Sequence, residues 1–452
     1  MSLKPYKANA DQPWNFLRVW TLHRRAGFGA TWEELQRDLK SGPDEALDRM
    51  LGGEPRIAGM REDFASMQKI LGDSAVASER PERLIAWWIF QMYFSPDPLR
   101  ERMCVMWHNH FATSNEKVEN LRIMAEQNQI FRDLGAGNFK DLLSATLKHS
   151  AMLKWLDGDQ NRVGKPNENL GRETLELFTL GVGNYTESDV ENASRALTGW
   201  GVKEGKFRSR DAWHDAKPKT ILGQTGDFDG DNLIEIACKH DATPKRLAWR
   251  ICDEFLSATA ATGNVVTELA EVLVDNELSV RTAVETVLRS ELFFSDANMK
   301  SKIVEPESFV VGTVRAMEVF DPPASTMVLG DWLEQIGRKL FYPPNVGGWP
   351  GGKSWLNSRT TIARANFGAA LVKGDLRRDR IGPDLLSIAA KHINSKKMNE
   401  IVAFYCELIT GVTSRQQVQE IMAKAKEDNP GDEIWLKRCV AMTIAGTSAQ
   451  LG

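Results

Sequence analysis

The segment 167–200, NENLGRETLELFTLGVGNYTESDVENASRALTGW, carries carboxylates where a helix should be apolar. At about 100° per residue, Glu173 falls between Leu177 and Leu180, with Asn169 and Glu176 beside it. A carboxylate placed there needs a cation, a metal or several hydrogen-bond donors. Upstream, MWHNHFATS sets His108 and His110 two residues apart. On an ideal helix they diverge by about 200°, so only a fraying helix end lets them converge. Imidazole with carboxylate suits zinc, iron or manganese, so His108, His110 and Glu173, with Glu176 beside them, are candidate ligands of a divalent transition metal. Without a metal, Glu173 would be the carboxylic acid of raised pKa, Glu176 its ionised neighbour, and Arg172 the cation meeting a carboxylate or substrate anion. Residues three apart on one helix rarely straddle a bond, so Asp215, next to His214, suits the second carboxylate better. The structural alternative makes Trp107 and Phe111 core, bonds one histidine to a helix end, and pairs Glu173 with Arg172 or Arg195.

Three other clusters have donors suited to a ligand. Asp227, Asp229 and Asp231 are spaced by two around Gly230, like the first half of a calcium loop, but Cys238 stands where the closing glutamate belongs. The other reading is a turn and helix cap, with Asp231 opening NLIEIACKH. Trp349 and Trp355 lie in a Gly/Pro-rich loop that would present a rigid aromatic edge, with Asn357 adding a donor, or else would pack on itself as an Ω-loop. Arg24 and Arg25 precede the tight turn Gly27-Phe28-Gly29, which lacks the Lys-Ser/Thr ending of a phosphate loop. His240 ends a helical run and reads as structural. No GxSxG is present, which argues against an acyl-enzyme hydrolase.

The elements positioning these residues read as helices. Thr31 and Glu34 predict a capping box, Pro43 and Pro81 open helices, and Thr186 with Asp189 predicts a cap. Amphipathic runs cover about 97–111, 117–134, 139–149, 243–257, 264–275, 278–291, 301–318 and 359–373. Trp87, Trp88, Trp107 and Trp249 fall in helical patterns as core residues. The expected fold class is mainly α: a large multi-helix domain over 13–375, with an irregular or β-hairpin insertion near 201–230 and a Gly/Pro/Trp loop at 341–358. A helical C-terminal extension follows at 376–452.

At 452 residues, 42% hydrophobic and 26% charged with net charge −4, the composition is that of a soluble globular protein and disfavours nucleic acid as a partner. Five scattered cysteines predict buried thiols rather than a disulfide framework. No apolar run spans a bilayer, and the first residues lack a signal-peptide core. The blocks LHRRAGFGAT, RMCVMWHNHFATS, 167–200, WHDAKPKTILGQTGDFDGD, KHDATPKRLAWRI and LFYPPNVGGWPGGKSWLNSRT, in that order over about 20–365, resemble the DUF1800 family of bacterial proteins of unassigned function. The resemblance implies a large helical domain and no particular activity. Members often carry an export signal, which leaves export open. The expectation for function is a metal-assisted, hydrolase-like enzyme acting on a polar polymer or small molecule. The competing class is a non-catalytic ligand-binding or envelope-associated interaction protein.

Overall fold

Helix starts follow their caps. Thr31 with Glu34, and Thr186 with Asp189, each make the reciprocal side-chain and backbone bonds of a capping box. Prolines open the helices Pro43–Gly52, Pro81–Phe94 and Pro98–His110, where a missing N–H costs nothing. A computed structural model describes residues 2–53, 60–426 and 431–452. Among the described residues it holds 23 α-helices and two two-stranded antiparallel hairpins, so the protein is mainly α.

The helix Pro98–His110 is buried on nearly every side, and Met103, Cys104, Met106 and Trp107 are all among its buried residues. Such a helix belongs at the centre of a core. One apolar cluster runs from Leu3 to Ala449, so the C-terminal helices share it. The helix Asp432–Ala445 lies so close to Ser358–Lys373 that a Cβ on Gly368 would come within 2.9 Å of Ile444. All five cysteines are buried free thiols. No helix among the described residues is long and apolar enough to cross a membrane.

The insertion forms two hairpins, Trp200–Lys203 with Lys206–Ser209 and Lys219–Ile221 with Gln224–Gly226. Two local readings need correcting. The helix Gly230–Lys239 begins at Asp229, whose carboxylate accepts from the Asp231 and Asn232 amides at 2.9 Å, so Asp231 lies inside the first turn. Trp249 is 40% exposed rather than core; it lies on the outer face of the helix Ala242–Phe255, under the Arg246 guanidinium.

The segment 168–180 departs from a regular helix. Glu168–Glu173 is α-helical, but Thr174–Leu180 widens into a π-helix, and the Thr179 hydroxyl bonds the Thr174 carbonyl five residues back. The wider turns rotate every later side chain away from its ideal α-helical bearing.

Candidate functional site

The residues His108, Asn109 and His110 form a joint between three segments. His108 Nε2 accepts from the Phe341 amide at 3.2 Å, so its proton sits on Nδ1. Asn109 Oδ1 accepts from the Trp349 amide at 2.8 Å. His110 Nε2 donates to the Phe178 carbonyl at 3.1 Å, the opposite tautomer. The two rings sit in separate aromatic surroundings: His108 against Trp88, Phe341 and Trp349, His110 against Phe139 and Phe178. Burial, helped by Arg338, lowers His108 to about 3. Burial, with Arg246 and Arg250 adding to it, holds His110 well below the usual imidazole range. Both are neutral.

Glu173 and Glu176 do not join the histidines. Glu176 bonds the Tyr185 hydroxyl. Glu173 is half-buried with no hydrogen-bond or ion-pair partner among the described residues; burial and the neighbouring Glu176 raise its pKa. Arg172 pairs instead with Glu168 and Glu187 on the surface, and Asn169 is exposed beside them. Arg195 takes Asp215 at 2.8 Å, which draws that carboxylate down to about 2. His214 donates to the Thr198 carbonyl. Glu173 therefore pairs with neither arginine.

The calcium-like carboxylates are also committed separately. Asp229 caps its helix, Asp227 meets Lys219 at 3.4 Å, and Asp231 meets Lys148 at 2.5 Å. Among the described residues no three His, Cys, Asp or Glu side chains are grouped to hold a metal ion. Arg24 and Arg25 are buried and fasten the last residues of the chain, Arg24 to the Ala449 carbonyl and Arg25 to that of Gly452. Asn357 caps the helix Ser358–Lys373.

What does converge is a cavity of about 550 Å³, within the range of small-molecule sites. Asn109 and His110 reach it from the central helix, Leu177 from the π-helix, and Gly347 to Lys353 from the Trp-rich loop. The helix Ala242–Phe255 supplies Arg246, Trp249 and Arg250, and the segment before Pro306 supplies Lys302 and Glu305. Trp349 forms wall; Trp355 is buried behind it. The Arg338 guanidinium lies 5.1 Å from one ring and 4.9 Å from the other. An open cleft of about 820 Å³ lies elsewhere, lined by Glu79, Glu116, Glu119 and Arg122, but those side chains are all exposed.

Charge distinguishes the smaller cavity. Its lining holds Arg246, Arg250, Lys302, Arg338 and Lys353 against Asp253, Glu254 and Glu305. Two of those acids are already drawn to the buried Arg102 behind the wall, at 2.7 and 3.0 Å. Arg246 donates Nε to the Leu177 carbonyl, lies 4.6 Å from the Trp249 ring, and meets no carboxylate among the described residues. Burial and the neighbouring Arg250 lower its pKa. Arg250 holds Asp253 at 3.4 Å and Glu254 at 3.8 Å, both long. The Nε atoms of buried Arg250 and Arg338 have no partner.

Behind Glu305, Glu307 is fully buried between Arg102 and Arg338. Burial raises the pKa of Glu307, and the nearby Glu305 charge pushes the same way. Glu305 stays ionised because Arg102, Lys302 and Arg338 outweigh its burial.

Sequence reasoning passed over Arg246, Arg250, Lys302, Glu305, Glu307 and Arg338. Two signals were present: Arg246, Trp249 and Arg250 at i, i+3 and i+4 share a helix face, and Glu305-Pro-Glu307 sets two acids at the start of an apolar helix.

Fold and cavity together define a large helical protein with a basic, tryptophan-edged cavity where five segments meet. The chain belongs to the DUF1800 family, described as a protein of unknown function, with residues 21–449 matched. The match runs on through the C-terminal helices. No curated protein and no solved structure matches the chain.

Proposed function

We propose that the chain binds an anionic small molecule, or the acidic end of a polar polymer, in the cavity edged by Trp349. The observation carrying this is Arg246, a half-buried guanidinium with no carboxylate partner, beside the weakly paired Arg250. Half-burying a cation costs free energy unless an anion meets it, so an arginine without a carboxylate, beside a weakly paired one in a cavity lining, favours a ligand that supplies the charge. Guanidinium forks match carboxylate and phosphate oxygens.

The test is thermal unfolding with inorganic phosphate, citrate and neutral glucose, at matched ionic strength, on wild type and Arg246→Gln. A ligand at about 100 times its Kd stabilises by roughly 2.7 kcal/mol. An anion should raise the melting temperature of wild type only, and glucose neither. Equal shifts in both proteins would remove the proposal.

A hydrolase-like use of the same cavity has one feature in its favour, two buried carboxyls, Glu305 and Glu307, that their surroundings push in opposite directions. Such a pair suits general acid and base roles. Metal assistance at His108 and His110 is not part of this reading, because their rings serve different backbone segments. Turnover of a phosphate or glycoside ester lost in Glu305→Gln would support catalysis; binding without turnover would leave a binding protein.

A further inference from the structure

The first hairpin carries charge that the cavity does not use. Its paired residues sort by face: Trp200, Val202, Phe207 and Ser209 on one side, Gly201, Lys203, Lys206 and Arg208 on the other. The first side packs inward, with the Lys148 ammonium 5.7 Å from the Trp200 ring and 5.8 Å from Phe207. On the second side Lys203 stands directly opposite Lys206, across a two-residue turn whose Glu204 and Gly205 both take positive φ, 53° and 76°. Like charges directly opposed across strands destabilise a hairpin, so this arrangement has a cost the fold does not require.

The cationic face extends beyond the hairpin. A Cβ on Gly201 would lie 3.7 Å from the Arg210 guanidinium carbon, so Arg210 covers the same side. Arg210 lies 4.2 Å from the Trp213 ring and Arg162 lies 6.0 Å from it. Lys203, Lys206 and Arg208 are exposed, and none of these five cations forms an ion pair among the described residues, although Glu204 and Asp211 are close in sequence. Val163, 48% exposed, sits beside them through the hydrogen bond its N–H donates to the Trp213 carbonyl.

We propose that this hairpin face is a docking surface for an anionic lipid bilayer. Lys203, Lys206 and Arg208 stand exposed around a tight turn, which suits a plane more than a wrapped chain. An aromatic ring between arginines and an exposed valine add the amphipathic character that interfacial contacts use. Each basic residue held near an anionic surface contributes about 1 kcal/mol.

Vesicle co-sedimentation in 50 mM salt tests this on the full chain, using phosphatidylcholine alone and phosphatidylcholine with about one third phosphatidylglycerol. Wild type should bind only the anionic vesicles and be released by high salt. The triple variant K203Q/K206Q/R208Q should bind on the order of a hundredfold more weakly. Its melting curve should match wild type, because the inward face is untouched. K245Q/K396Q/K424Q, which removes the same charge elsewhere, should bind like wild type. Equal loss in both triple variants, no preference between the two vesicles, or binding to DNA or dextran sulfate but not to vesicles would each overturn the proposal.

Discussion

Two arginine sites in this protein look alike by residue type and differ in how they are satisfied. Arg132 grips Glu101 with two bonds, at 2.6 and 2.9 Å, and adds Asn128 at 2.8 Å; both partners are nearly sealed from solvent. Arg246 and Arg250 hold one backbone carbonyl each, Leu177 and Met106, with two distant carboxylates on Arg250, and they border an open cavity. A sealed pair with every strong bond made is structural cross-linking. An arginine left short of anions where a ligand can reach it has spare binding capacity. Partner satisfaction separates the two roles where residue type and burial alone do not.

The largest effect should come from opening the sealed pair. Arg132→Leu would leave Glu101 buried and uncompensated, at a cost of about 3–5 kcal/mol in urea unfolding. Glu101→Leu/Arg132→Leu should recover most of that, because two apolar residues need no partner. A double variant as unstable as the single would mean that the pair does more than cancel charge, and the comparison would fail on its structural side.

The histidine joint belongs with the sealed pair, and pH tests that. Folded His108 sits at about 3, below an unfolded value near 6.5. Between these values the unfolded chain binds more protons, so stability rises with pH across that window and falls as the solution is acidified. The slope is about 1.4 kcal/mol per pH unit for such a group. His108→Gln keeps an acceptor for the Phe341 amide but removes the titration, so its stability gap from wild type should shrink from pH 6.5 down to pH 4. A gap that does not change with pH would mean His108 is not held neutral.

The helices around these sites were legible because their signals are local. Thr31 with Glu34, and Pro81 before an apolar run, state their own helix starts, and both are found. The Trp349 loop was legible as a cavity wall from its glycines and prolines, whereas the burial of Trp355 depends on Arg338 lying between the two rings. Glu173 could not be set against Leu177 and Leu180 by counting, since the π-helix beginning at Thr174 shifts the rotation of those later residues. Trp249 followed a core-like pattern but is 40% exposed, with the Arg246 guanidinium over its ring. The cavity itself was not legible: whether Arg246 or Arg132 finds a carboxylate is decided by residues far away in the chain.

Asp229 gives a smaller, local test. Asp229→Ala should cost about 1 kcal/mol through loss of the helix cap. Millimolar calcium should move the melting temperature of neither protein; a shift in wild type lost in the variant would restore an ion-binding role to 227–231.

The smallest effect on stability should come from Arg246→Gln, and it bears most on the comparison. The side chain has one backbone bond to lose, and the change removes a charge that Arg250 repels. These oppose each other, so unfolding without ligand should change by no more than about 0.5 kcal/mol, as for substitutions away from sealed networks. Proteins often give up stability at sites that must stay unsatisfied to work, and a small gain would fit that pattern. A loss approaching that of Arg132→Leu would show that Arg246 is already satisfied in a way its bonds do not reveal. The distinction between the sealed and the open arginines would then not hold.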